Sequence, residues 1–293
     1  MDLKKFTGTG VAIVTPFRND GSIDFKSLGK LVEHVIKGGV NYLVVLGTTG
    51  ESVTLSKDEK KAVLCFVTDT VNYRIPVVVG IGGNNTQEIL DSINHNDLSG
   101  VDAILSVAPY YNKPSQQGLF MHFKAIAEIS PLPVILYNVP GRTGSNLTAD
   151  TTVKLAKELK NIVAIKEASG NLLQVMAIIK NRPKNFLVIS GDDALALPIV
   201  SLGGSGVISV IANACPKTFS DMINHALKGD YQKAAALHYK LYDLMNALFE
   251  EGNPSGVKAA LEILKITQNN LRLPLVPVSE GLHKKIEGLL KNC

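Results

Sequence analysis

Val163-Ala-Ile-Lys166-Glu-Ala-Ser-Gly170 is a short β-branched run that ends in a lysine and passes through a glycine into a helical pattern. Successive strand residues point to opposite faces. A lysine at the end of such a strand can therefore project into a closed sheet with its ammonium near the rim. Burial there disfavours the charged form, and a neutral amine attacks carbonyls to form a Schiff base. Taken alone, a strand-ending lysine more often turns out to water. The surroundings must decide between these readings.

Working outward, the same strand-then-helix unit recurs on both sides. Toward the N-terminus, Pro133-Val-Ile-Leu-Tyr137, Ala103-Ile-Leu-Ser106, Pro76-Val-Val-Val79, Tyr42-Leu-Val-Val-Leu46 and Val11-Ala-Ile-Val14 read as buried strands. Toward the C-terminus, Phe186-Leu-Val-Ile189 and Gly206-Val-Ile-Ser-Val210 complete the series. Helices lie between them: Asp24 caps the first and Ser56, with Glu59 in a capping box, the second, while Thr86, Ser115, and Thr148 or Asp150 start the next three. All-apolar strand runs mark a parallel sheet covered on both faces, and eight units imply a closed (β/α)8 barrel, a TIM barrel in the α/β class. A doubly wound open sheet is the alternative. Its phosphate turn would be Gly80-Ile-Gly-Gly83-Asn-Asn85, where Asn85 stands in place of the third glycine. That stretch reads better as a tight strand-to-helix turn. Helical patterns continue past the eighth strand, so residues 1–226 are expected to form the barrel and 227–293 a C-terminal helical appendage.

With 293 residues, 45% of them apolar and 19% charged, the chain can bury a large core. A net charge of +4 without a dense basic block argues against nucleic acid. The N-terminus, Met1-Asp-Leu-Lys-Lys5, lacks an apolar leader core, and no apolar run approaches the roughly 18 residues of a membrane span. Cys65, Cys215 and Cys293 are far apart and odd in number, which argues against a disulfide framework. A cytoplasmic setting is the expectation.

Sites on such barrels lie at the C-terminal ends of the strands. Those positions hold Thr15, Thr48, Thr49 and Tyr111, then Tyr137, Asn138, Arg142 and Lys166, and lastly Asp192 and Ser209. They hold no histidine and no converging ligand set, so metal-assisted chemistry is not expected. Imine chemistry needs a lysine, hydroxyls that move protons, and donors for a carboxylate; each is present. Every member also has a plainer role. Gly47-Thr-Thr-Gly50 could be a helix-capping turn or an anion-holding nest of N–H groups. Tyr137 could be a core aromatic, Tyr110-Tyr111 rim packing and Arg142 a structural ion-pair partner. Glu167 and Asp192 read as structural caps or ion-pair partners.

The set Gly47-Thr-Thr-Gly-Glu-Ser52, Pro109-Tyr-Tyr-Asn112, Tyr137-Asn-Val-Pro-Gly-Arg-Thr-Gly144, Ile165-Lys-Glu-Ala168, Ser190-Gly-Asp-Asp193 and Gly206-Val-Ile-Ser-Val210 resembles the dihydrodipicolinate synthase family of pyruvate-dependent, lysine-Schiff-base aldolases. The resemblance runs from Gly8 to Leu271-Arg-Leu-Pro274. Thr48 and Arg142 favour this family over the sister N-acetylneuraminate lyases. The resemblance implies that Lys166 forms an imine with pyruvate, without a cofactor or metal. It implies a proton relay of Tyr137, Thr48 and Tyr111, the last reaching in from a neighbouring subunit. Thr49 and the Ile208 carbonyl would attend pyruvate, and Arg142 would receive the carboxylate of L-aspartate 4-semialdehyde. The reaction would be the first committed step of the diaminopimelate route to L-lysine, in a homotetramer built as a dimer of dimers. Asn253-Pro-Ser-Gly-Val257 departs from the usual pattern at Ser255-Gly256, which reads as lying outside the site.

Members inhibited by L-lysine bind it in a cleft at the dimer interface. The matching positions here are Ser52, Val53, Lys57, Lys60, Asn84, Glu88 and Tyr110. Asn84, Glu88 and Tyr110 fit the sensitive pattern. Lys57 and Lys60 stand where histidines are expected, and their charge opposes the effector's ammonium groups. Weak or absent inhibition is the expectation. Both lysines could equally be solvated members of an exposed helix face.

Overall fold

The structure, a computed structural model, describes residues 3–293. Met1 and Asp2, the start of the charged N-terminus, lie outside the described residues. The elements in order are β1 (Gly8–Ala12), α1 (Phe25–Lys37), β2 (Tyr42–Val45), α2 (Lys57–Val71), β3 (Val77–Gly80), α3 (Thr86–His95), β4 (Ala103–Val107) and α4 (Gln116–Ile129). The second half comprises β5 (Val134–Asn138), a short α5 (Pro140–Thr143), α6 (Ala149–Glu158), β6 (Ile162–Glu167), α7 (Leu172–Asn181), β7 (Leu187–Ser190), a short α8 (Ala196–Ser201) and β8 (Gly206–Ser209). After the barrel come α9 (Pro216–Leu227), α10 (Tyr231–Ala247), α11 (Ser255–Ile263) and α12 (Glu280–Leu289).

All strand pairs are parallel, and β8 returns to β1, closing the eight-stranded barrel. Two apolar layers follow from the two-residue period of the strands. One lies between the sheet and the helices and holds Leu43, Val45, Val77 and Val79 with the buried faces of the helices. The other fills the barrel and holds Val44, Val78, Leu105, Ile135 and Ile208. Each such side chain contributes roughly 1.5–3 kcal/mol when fully buried. Phe6 packs edge-on against Tyr42 at 5.9 Å in the same inner layer.

Most of the expected caps are present. Asp24 accepts from the Ser27 N–H, and Ser56 and Glu59 form the reciprocal capping box of α2. Thr148, rather than Asp150, caps α6. Asn85 caps α3, so the Gly80–Asn85 stretch is the strand-to-helix turn that its missing third glycine suggests. The first strand starts earlier than its apolar run, because Gly8 and Gly10 already pair with β8. The short helices α5 and α8 were not legible as helices.

Cys215 and Cys293, far apart in sequence, come together in the fold, with Cα atoms 5.2 Å apart, a separation that a disulfide can span. The reason is tertiary. The chain after α12 packs back against α10, which itself lies on α9, and this brings the last residue to the start of α9. A separation of 78 residues hides that meeting. Cys65 is free and exposed. No helix among the described residues is long and apolar enough to cross a membrane.

Candidate active site

Lys166 sits at the end of β6, paired in register with Tyr137 of β5 and Ile189 of β7. It is 6% exposed, and its Nζ lies 4.3 Å from the centroid of the Tyr137 ring. The strand alternation sends the neighbouring Glu167 the other way. Its carboxylate accepts from Asn138 Nδ2 at 3.1 and 3.2 Å, from Gln174 Nε2 at 3.0 Å and from the Ser169 N–H at 2.7 Å. Asn138 Oδ1 accepts in turn from the Leu147 N–H at 2.9 Å. Glu167 and Asn138 therefore lock β5 to β6 from outside, while Lys166 and Tyr137 meet inside. Gly191 leaves room for the lysine: a Cβ there would fall 3.1 Å from Lys166 Cε and 2.7 Å from Ala168 Cβ.

The chain leaves β2 through Leu46, at φ +59°, and turns at Gly47–Glu51. The Gly50 and Glu51 N–H groups donate back to Gly47 and Thr48 carbonyls, and Thr15 Oγ1 donates to the Gly50 carbonyl at 2.7 Å. Thr49 is 2% exposed, and its Oγ1 accepts from Asn253 Nδ2 at 3.1 Å. Thr48 is half-buried. Among the described residues, the N–H groups of Thr48 and Thr49 have no acceptor. Adjacent free N–H groups of this kind suit a carboxylate. Arg142, exposed on α5, donates to the Asn253 carbonyl at 3.4 Å. Asn253 thus touches both the turn and the arginine, and Ser255-Gly256 follows it at the start of α11. Gly256 is needed there, since a Cβ would fall 2.3 Å from the Leu248 carbonyl oxygen.

Ile208 is buried on β8 inside the barrel. Asp192 accepts from the Ala194 and Leu195 N–H groups, a capping role as expected. Ser209 Oγ accepts from the Ala212 N–H at 3.0 Å. Tyr111, in the loop after β4, is 88% exposed at φ +71°, so within one chain it does not join the buried pair. Among the cleft positions, Val53, Lys57 and Glu88 are exposed, Ser52, Lys60 and Asn84 are half-buried, and the Asn84 carbonyl accepts from Asn112 Nδ2 at 2.9 Å. No group of three or more metal-ligating side chains occurs among the described residues.

Three buried polar residues were missed. Asp193 is fully buried and its Oδ2 accepts from the Val210 and Ile211 N–H groups at 3.0 and 2.8 Å. Burial pushes its pKa up to about 6. Glu51 and Lys258 form an ion pair with both side chains fully buried. Burial draws the Lys258 ammonium down to about 8, against the opposing pull of the Glu51 carboxylate. A hint lay in the sequence: a carboxylate inside Gly-Thr-Thr-Gly-Glu and a lysine in the apolar run Val257–Leu261 both conflict with burial unless paired.

The chain matches the Dihydrodipicolinate synthetase family over residues 5–293. It is 52% identical over 289 residues to a 4-hydroxy-tetrahydrodipicolinate synthase of Flavobacterium psychrophilum, covering 99% of each chain. Its fold superposes on a dihydrodipicolinate synthase of Acinetobacter baumannii complexed with pyruvate, with TM-score 0.95, 45% identity and 98% of each chain covered. A lysine-bound structure of the enzyme from Cyanidioschyzon merolae gives TM-score 0.95 and 40% identity, again over 98% of each chain.

Proposed function

The chain belongs to the dihydrodipicolinate synthetase family, and on that premise we propose that it condenses pyruvate with L-aspartate 4-semialdehyde through an imine on Lys166. The observation that carries the residue assignment is a buried lysine in register with a tyrosine at the carboxyl ends of adjacent strands. The Lys166 amine adds to the pyruvate ketone, and loss of water leaves the imine. The imine is an electron sink, so a methyl proton can leave to give the enamine. The enamine carbon attacks the aldehyde, and the aldehyde oxygen takes up a proton. The substrate's own amine then adds to the imine carbon and expels the Lys166 amine, closing the ring. No cofactor enters this sequence.

Tyr137 and Thr48, with Tyr111 from a neighbouring subunit, carry the protons. The Thr48 and Thr49 N–H groups hold the pyruvate carboxylate beside the Ile208 carbonyl, and Arg142 takes the carboxylate of the aldehyde. Residues 1–226 are the catalytic barrel and 227–293 the C-terminal helical unit. The assembly is a homotetramer of two dimers working in the cytoplasm, and the product feeds L-lysine synthesis. The test is reduction with borohydride in the presence of pyruvate, followed by peptide mass analysis. Inactivation with a pyruvate-derived mass on Lys166 is expected; a label on another lysine, or none, would sink the assignment.

A further inference from the structure

Glu51 ends the turn that carries Thr48 and Thr49, and it does so at φ +51° and ψ 34°. A non-glycine residue in this left-handed region persists only where its surroundings impose it. The surroundings here come from the far end of the chain. Lys258 of α11 pairs with one carboxylate oxygen, and the Arg272 N–H donates to the other at 3.1 Å. Lys258 Nζ also donates to the Asn270 carbonyl at 2.8 Å and stands 4.2 Å from the centroid of the Phe17 ring. The Arg272 guanidinium lies 4.6 Å from the same centroid and donates to Glu59 of α2 at 2.5 and 2.9 Å. The same C-terminal stretch reaches Thr49 through Asn253. The turn is therefore gripped at its middle and at its end by residues more than 200 positions away.

A buried pair of this kind gives little net stability, because desolvating two charges cancels most of their attraction. A purely stabilising contact would be as well made by apolar side chains. What the charges supply is direction: the carboxylate has one place to go, and the turn must follow it. We propose that Glu51 and Lys258 are positioning residues whose ion pair aims the Thr48 and Thr49 N–H groups at the keto-acid carboxylate before it arrives. This rests on the reading of that turn as the carboxylate site.

The test compares Lys258→Met, Glu51→Gln and the apolar double variant Glu51→Leu with Lys258→Met. Each is followed by thermal unfolding, by KM for pyruvate and for the aldehyde, and by borohydride labelling at saturating pyruvate. Misplacing the donors should raise the pyruvate KM by about 10–100-fold. The KM for the aldehyde should change by only a few-fold and kcat should fall as the Thr48 hydroxyl is displaced with its N–H, while Lys166 is still fully labelled at saturation. The double variant should regain thermal stability and keep the high pyruvate KM, which a structural role alone would not produce. Glu51→Gln should shift the same way and carries the test if Lys258→Met does not fold. An unchanged pyruvate KM in a folded variant, or its recovery together with stability in the double variant, would overturn the proposal. Absence of label on wild-type Lys166 would instead sink the reading of the site.

Discussion

The turn after β2 and the loop after β4 occupy corresponding places on the barrel rim and are held in opposite ways. In Gly47–Glu51 the side chains of Thr49 and Glu51 are buried, and Thr15, Asn253, Lys258 and Arg272 all bind it. In Pro109–Asn112, Tyr111 is exposed at positive φ, and the side-chain contacts are Ser145 Oγ donating to the Pro109 carbonyl and Asn112 Nδ2 donating to the Asn84 carbonyl. One is completed by its own chain. The other carries a bulky side chain in a costly conformation that its own chain leaves 88% exposed, which suits a residue that works on a neighbour's substrate.

The strongest way to break this contrast is at the buried pair. Tyr137→Phe should slow turnover by roughly 10²–10⁴-fold, the scale of a lost acid–base group. Near-normal kcat would make Tyr137 packing only. Mixing comes next. Subunits carrying Tyr111→Phe and subunits carrying Lys166→Ala, each inactive alone, should regain one working site when joined in a dimer. No recovery in verified mixed dimers would refute the shared site and with it the meaning given to the exposed loop.

The pinned style of the β2 turn recurs at Asp193, and there it has a pH signature. Its folded pKa, about 6, lies above the ordinary 3.8. The folded state thus binds the proton more tightly, and this group's contribution to stability falls as pH rises from about 4 to 6. The change is worth roughly 3 kcal/mol. His122, which burial holds down to about 4, gives the opposite slope between about 4 and 6.5. The observable is therefore the difference: Asp193→Asn should lose stability more steeply on acidification than the parent, as read by denaturant midpoints across this range. Parallel profiles would refute it. The smallest effect concerns the cleft positions, which join Tyr110 of the exposed loop to Lys57 and Lys60 of α2. Because Lys57 and Lys60 oppose a cationic effector, millimolar L-lysine should inhibit weakly or not at all in a steady-state assay. Near-complete inhibition below a millimolar would show that the cleft tolerates those charges.

Legibility followed the range of the interactions. The strands and most caps were legible because they depend on local signals: β-branched runs, a capping box at Ser56 and Glu59, a glycine after Lys166. Lys166 and Tyr137 were legible because both end strands whose order the barrel dictates. Asn253, Lys258 and Asp193 were not, since each acts on a residue of another element. The local pattern Gly252-Asn-Pro254 signals only a break between helices, and Lys258 carries no local mark that sets it apart from other helical lysines. The meeting of Cys215 with Cys293 was hidden for the same reason.

The grip on the β2 turn also sets an order of events during synthesis. The turn leaves the ribosome early, but Asn253 and Arg272 follow it by 204 and 221 residues. At usual elongation rates that interval is on the order of ten to forty seconds. A nascent chain can have all eight strands in hand, with β8 able to close on β1, while the turn still lacks its clamp. Thr48 and Thr49 are among the first site residues made and the last to be set in place.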